Sequence, residues 1–205
     1  MAVSERGAPL PLFPLQSVLF PGGLLNLKVF EARYLDLVTR CLREQAPFGV
    51  ICLRQGREVG RGEVQFEAVG TLARIDTVDS EQPGILQVRC IGGERFERQG
   101  EPAQDDDGLW STASQAVEPD PAELPAPAML ATVKALAQAI ATLKAQGSLP
   151  IAEPFRLDDA GWVANRWCEL LPISLAAKQK LMALPSPSSR LALVDEYLRG
   201  KGVVS

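Results

Sequence analysis

Histidine is absent from this chain of 205 residues. Its absence excludes the Ser-His-Asp triad, the Cys-His pair and every zinc site with an imidazole ligand. Any general acid–base chemistry would fall to carboxylates, lysine or tyrosine. The patterns GxxxxGK[ST] and GxGxxG are missing as well, so the sequence does not predict a phosphate-binding loop.

Cysteine is scarce and has no metal-type spacing. The four cysteines are Cys41, Cys52, Cys90 and Cys168. Scattered cysteines in a chain of this size are typical of reduced thiols in the core of a cytosolic protein, so we expect no metal, no cofactor and no disulfide. The N-terminus lacks the apolar segment of a signal peptide, and no run approaches the ~18 apolar residues of a membrane span. We therefore expect a cytoplasmic protein without a membrane partner.

The charge distribution divides the chain. Overall, 46% of the residues are hydrophobic, 22% are charged and the net charge is −4, which is typical of a globular protein and argues against nucleic acid as its main partner. Residues 101–127 hold seven acidic side chains, five prolines and no lysine or arginine. Such a segment is typical of a turn and a linker, so we predict two modules, residues 1–120 and residues 121–205.

The first module has the pattern of short strands joined by turns. Predicted strands are Leu10–Phe13, Leu24–Phe30, Phe48–Leu53, Val64–Val78, Ile85–Ile91, Glu94–Gln99 and Leu109–Val117, with one helix at Glu31–Gln45. Gly92-Gly93 is expected to interrupt the sheet, and Gly70 to mark a bulge or a close approach. Because almost every connection is too short for a crossover, the pattern predicts a small mixed β-barrel.

From about residue 122 the apolar residues recur at helical spacing. Predicted helices are Ala128–Gln146, Asp158–Leu171, Leu175–Leu184 and a last one from Ser186-Pro187 to Gly200. Ser174 and Lys178 have the spacing of a Ser–Lys nucleophile pair. Ser174 is better explained as the N-cap of the third helix, where backbone N–H groups occupy its hydroxyl. The second module is therefore predicted to be an α-helical bundle, and the chain to have an α+β fold.

Few residues stand out as binding candidates. Arg54, Arg57 and Arg61 form a loose basic patch without interleaved aromatic residues, and Trp110 on the acidic hairpin is the tryptophan that we would test for partner binding. The acidic run at residues 105–107 lacks the spacing of a calcium loop, so we interpret it as a solvated hairpin tip.

Several segments, in order along the chain, resemble one family, the N-terminal substrate-binding (LON) domain of ATP-dependent Lon protease, which includes stand-alone bacterial versions. The segments are Leu10-Pro11-Leu12-Phe13-Pro14-Leu15, Val18-Leu19-Phe20-Pro21-Gly22, Val29-Phe30-Glu31-Ala32-Arg33-Tyr34, Gly70-Thr71-Leu72-Ala73-Arg74-Ile75, Gly92-Gly93-Glu94-Arg95-Phe96, Leu171-Pro172-Ile173-Ser174-Leu175, Lys178-Gln179-Lys180-Leu181 and Ser189-Arg190-Leu191.

The resemblance implies a PUA-like β pseudo-barrel followed by a helical bundle. It implies a module that binds unfolded or exposed peptide segments or a partner protein, with no ATPase or protease module, and hence not an enzyme. An RNA-binding role for the barrel is the alternative, motivated by the three arginines and by analogy of fold. A hydrolase or transferase that uses only carboxylates is the third hypothesis, but no spaced acidic pair supports it. The resemblance leaves homo-oligomerisation open.

Overall fold

The computed structural model describes residues 8–55 and 64–204. The chain divides into two compact units. The first comprises the chain up to Leu19 together with Leu25–Val117, and the second comprises Phe20–Leu24 together with Glu118–Ser205. The boundary predicted after residue 120 assigned Phe20–Leu24 to the first module, since sequence order alone does not reveal that this turn groups with the later helices.

The described residues before Glu118 form seven strands and one helix. They are β1 (Leu10–Leu15), β2 (Leu24–Val29), α1 (Ala32–Glu44), β3 (Phe48–Gln55), β4 (Gln65–Phe66), β5 (Val69–Gln82), β6 (Ile85–Gln104) and β7 (Trp110–Ala116). The neighbours β1, β7, β6, β5 and β3 form a closed ring, because β3 also pairs with β1. β4 joins β3, and β2 joins β6. The predicted barrel is therefore present.

The pairing of β1 with β3 is parallel, with Leu12 opposite Gly49. Parallel neighbours need a crossover connection, and β2 with α1 supplies it. The sequence predicts that almost every connection is too short for a crossover, and this connection is the exception. All the other pairings with a described register are antiparallel, so the sheet is mixed.

One predicted interruption is wrong. Gly92 and Gly93 lie inside β6, which continues as a strand of 20 residues. The pairing with β5 shifts register between Thr71 and Ala73, just where these glycines pass, so the pair sits at a bulge rather than at a strand end. Gly70 is confirmed as a close approach, because a Cβ atom there would lie 2.5 Å from the carbonyl oxygen of Val50.

Helix α1 covers the main core of the first unit. Its inward positions recur every three to four residues, as an amphipathic helix requires, and they bury Tyr34, Leu37, Val38 and Cys41. These side chains join a cluster of buried residues from the strands that includes Phe13, Leu27, Val29 and Phe48. A separate cluster contains Leu12, Ile51, Leu53, Phe66 and Phe96.

The second unit is helical. Its helices are α2 (Leu130–Ala145), which follows a 3₁₀ turn at Pro127–Met129, then α3 (Ala160–Leu170), α4 (Leu175–Ala183) and α5 (Pro187–Gly200). The side chains of Asp159, Ser174 and Ser186 each accept a hydrogen bond from a backbone N–H three residues later, which defines the three helix starts. The α+β class predicted from the sequence is confirmed.

One helix in the described residues, Pro127–Ala145, is long and apolar enough to cross a membrane by length and composition alone. Core helices of water-soluble proteins pass the same test. Buried positions on it include Thr132, Leu136 and Ile140, a stripe at the spacing of a helix that packs on one side. The absence of a membrane partner stays a prediction.

Candidate functional site

The structure describes one of the three candidate arginines. Arg54, near the end of β3, has an exposed side chain whose Nε lies 3.7 Å from Oε1 of Glu67. Arg57 and Arg61 lie outside the described residues. Since a carboxylate accompanies Arg54, its surroundings are of mixed charge, and phosphate binding at this place stays a prediction.

Trp110 takes part in packing. It begins β7, is half-buried, and its ring meets that of Phe66 edge to face with the centroids 5.0 Å apart. It also packs against the cluster formed by Leu12, Ile51 and Phe96. The indole thus contributes to the barrel interior, and its role in partner binding stays a prediction.

A groove of about 360 Å³ runs beside β2. Its lining comes from β1, β2 and the start of α1, and consists of Phe13, Leu15, Ser17, Leu25, Asn26, Leu27, Lys28, Val29, Phe30, Glu31 and Tyr34. Phe13 and Tyr34 stack with their ring centroids 4.1 Å apart, and both are buried. Phe30 is 54% exposed. The groove therefore combines a buried aromatic wall with an exposed aromatic side chain.

Glu31 and Arg33 hold the polar end of this groove in place. Arg33 Nη2 lies 2.8 Å from Glu31 Oε2, and Arg33 Nη1 donates a 2.7 Å hydrogen bond to the carbonyl oxygen of Gly108. The sequence predicts the strand at Leu24–Phe30 but not the groove, because the groove also needs β1 and Tyr34, which lie elsewhere in the sequence.

A shallow acidic hollow lies at the hairpin between β6 and β7. Asp105 Oδ1 accepts a 2.7 Å hydrogen bond from the backbone N–H of Leu109, and Gly108 has φ of +83°, which favours glycine. The described residues contain no group of three or more histidine, cysteine or acidic side chains placed to hold a metal ion. This geometry agrees with the interpretation as a hairpin tip.

The second unit contains a buried ion pair between Arg166 and Glu169. Arg166 Nη2 donates a hydrogen bond of 2.8 Å to Glu169 Oε1 and one of 3.0 Å to the carbonyl oxygen of Pro21. The guanidinium also lies 5.7 Å from the Trp162 ring centroid, whereas its Nε and Nη1 are buried without a hydrogen-bond partner. Burial raises the pKa of Glu169 to about 7, against the opposing effect of Arg166. These contacts attach the turn at Phe20–Leu24 to α3.

A second buried arginine ties the acidic segment to the helices. Arg190 Nη1 donates hydrogen bonds to Asp120 Oδ2 at 2.6 Å and to Asn165 Oδ1 at 3.0 Å. Its Nε donates a hydrogen bond of 2.8 Å to the carbonyl oxygen of Leu181. The side chain is 1% exposed. Since buried charges are stable only when paired, Asp120 and Arg190 are best understood as structural.

The cysteines have no accessible sulfur chemistry. All four are buried thiols outside any disulfide, and their burial is what the sequence predicts for core cysteines. Burial raises the pKa of Cys90 and of Cys168 to about 12. Thiols with such values stay protonated at neutral pH and are poor nucleophiles.

The family of the ATP-dependent protease La (LON) substrate-binding domain matches residues 9–200. Among curated proteins, the chain is 38% identical over 69 residues to the Lon protease of Anaeromyxobacter dehalogenans (strain 2CP-C) and 37% identical over 67 residues to Lon protease 2 of Myxococcus xanthus. These matches cover 33% and 32% of this chain, and 8% of each relative.

Solved structures extend the similarity to nearly the whole chain. A Lon N-terminal domain protein from Xanthomonas campestris is 33% identical with a TM-score of 0.74, and the match covers 93% of this chain and 98% of that one. The N-terminal domain of a Mycobacterium avium complex Lon protease has a TM-score of 0.63 at 14% identity, over 94% of this chain and 98% of that one. This second similarity concerns the fold alone.

Proposed function

Because the chain belongs to the family of ATP-dependent protease La (LON) substrate-binding domains, we propose that it binds unfolded or exposed segments of other proteins and does no chemistry on them. The observation that carries this proposal is the family match over residues 9–200. The crystal structure of a Lon N-terminal domain protein at 33% identity supports it over nearly the same range.

The composition of the chain is consistent with a binding role. The sequence lacks histidine and both phosphate-loop patterns. Its buried arginines, Arg166 and Arg190, have carboxylate partners that hold the fold together. The groove beside β2, in contrast, leaves an aromatic side chain exposed, which is a feature of protein-binding surfaces.

The test is binding to a protein that cannot fold. Reduced and carboxymethylated α-lactalbumin, labelled with fluorescein, serves as the unfolded probe, and native α-lactalbumin with its disulfides intact serves as the matched control. We expect the anisotropy of the unfolded probe to rise with a Kd on the order of micromolar, and that of the native control to stay constant. Gel electrophoresis of the mixture should show the probe uncleaved, with or without ATP.

Two results would contradict the proposal. One is an unchanged anisotropy of the unfolded probe at protein concentrations on the order of 100 μM. The other is a progressive loss of the full-length probe, because that would show catalysis by this chain.

A further inference from the structure

The backbone of β2 has one open side. Among the strands that the structure describes, β2 pairs with β6 alone, whereas β1 is paired on both sides, with β3 and with β7. A strand with one partner presents a row of N–H and C=O groups on its other side. That row is a template for one more strand.

The groove follows this open side. Five consecutive residues of β2, Leu25 to Val29, all line it. Successive side chains of a strand point to opposite faces, so a cavity that touches residues of both faces must lie against the strand's edge. The edge and the groove are therefore one feature of the first unit.

The side chains along the groove suit an apolar occupant. Phe13 and Tyr34 form its stacked wall, Leu15 is buried beside them, and Phe30 stands exposed. The charge of Glu31 is compensated by Arg33 at 2.8 Å. Lys28 is exposed, which favours an acidic residue over a basic one in the occupant.

We propose that an extended segment of an unfolded polypeptide adds to β2 as a further strand and places an apolar side chain in the groove over Phe13 and Tyr34. Main-chain hydrogen bonds would give affinity without regard to sequence, and the groove would select apolar side chains at alternate positions. This binding mode suits a protein whose targets have an exposed, extended backbone in common but no common sequence. The inference rests on the proposed function and locates its site.

A second copy of this chain fits the edge less well. Antiparallel pairing of two β2 strands centred near Leu27 would put both Lys28 side chains on the same face of the joined sheet, at neighbouring positions. Like charges at such positions destabilise the pairing, and an exposed lysine is a common protection of edge strands against self-association.

The first experiment uses the peptide backbone as its variable. The parent is a fluorescein-labelled nonapeptide of alternating leucine and serine with one terminal glutamate. Its backbone amides form two alternating sets, one on each edge of the extended peptide. Two further versions are made, each N-methylated at one of these sets. Only one set faces β2 in a paired strand. We expect one version to bind about tenfold more weakly or worse and the other to bind within about twofold of the parent. Equal effects of the two versions, or none, would overturn strand addition.

The second experiment fills the groove. Ser17 is exposed and lines it, so Ser17→Trp should weaken peptide binding about tenfold. Ser114→Trp on β7, also at an exposed position, is the matched control and should bind as the parent does. Phe30→Ala removes an exposed ring without touching the core, and it replaces Ser17→Trp as the test if that variant unfolds. Phe30→Ala should weaken binding at least threefold, which corresponds to about 0.7 kcal/mol.

The outcomes separate this inference from the proposed function. If the parent binds unfolded α-lactalbumin and Ser17→Trp and Phe30→Ala bind it equally well, the groove is wrong and the function stands. If the parent binds no unfolded probe, the function itself fails. If sedimentation shows a dimer that Ser17→Trp converts to a monomer, the groove is covered by a second copy and the inference is overturned.

Discussion

At the scale of single residues, the raised pKa of Glu169 predicts that the free energy of unfolding decreases as pH rises. Burial raises its pKa to about 7, although Arg166 on α3 and Lys178 on α4 oppose the shift. The folded chain therefore holds a proton that the unfolded chain releases near 4.5. Between those two values stability must fall as pH rises. We expect Glu169 to lower the free energy of unfolding by on the order of 2–3 kcal/mol between pH 4.5 and 7.5.

Urea unfolding of the full chain at several pH values checks this dependence, with Glu169→Gln as the variant that removes the titration. The difference in unfolding free energy between parent and Glu169→Gln should decrease steadily from pH 5 to pH 7.5. Glu196→Gln, at an exposed position of α5, should show no such trend. A constant difference between parent and Glu169→Gln would show that Glu169 is ionised throughout.

At the scale of elements, the start of α4 depends on one hydroxyl. Ser174 accepts a 3.2 Å hydrogen bond from the backbone N–H of Ala177, and α4 has only nine residues. A short helix has few other means of satisfying its first N–H groups. Ser174→Ala should therefore destabilise the chain by about 1 kcal/mol, and Ser174→Asp, which keeps an acceptor, by clearly less.

Equilibrium unfolding in urea measures this effect, and Ser148→Ala provides the comparison. Ser148 is exposed in the loop after α2, so its replacement should change stability by less than about 0.5 kcal/mol. If Ser174→Ala costs no more than Ser148→Ala, the hydroxyl does not stabilise α4.

Elements defined by local chemistry could be predicted from the sequence. The cap at Ser174 and the helix spacing of Tyr34, Val38 and Cys41 are local features, and the structure has both. The continuity of β6 through Gly92 could not be predicted, because it depends on pairing with β5, in which β6 accommodates one extra residue as a bulge. The groove beside β2 was missed for the same reason, since its walls come from distant parts of the chain.

At the scale of the whole molecule, the two units are not two continuous stretches of sequence. The turn Phe20–Leu24 belongs with Glu118–Ser205, and Pro21 gives its carbonyl oxygen to Arg166. Phe20 is fully buried. The prediction of two modules divided at residue 120 treated the chain as two consecutive pieces, because long-range attachment of a five-residue turn leaves no periodic signal.

This arrangement predicts that the fragment 118–205 is incomplete. Without Phe20–Leu24 the fragment loses the buried ring of Phe20 and the carbonyl oxygen of Pro21 that accepts a hydrogen bond from Arg166. The loss of a buried aromatic ring alone costs about 3–5 kcal/mol in typical cores. We expect the fragment to be helical by far-ultraviolet circular dichroism but to unfold in urea without a sharp transition. Addition of a peptide spanning residues 18–26 should restore the transition and the near-ultraviolet signal of Trp162 and Trp167. The same peptide with Phe20→Ala should restore neither. If the fragment unfolds identically with and without the peptide, residues 118–205 form a complete unit.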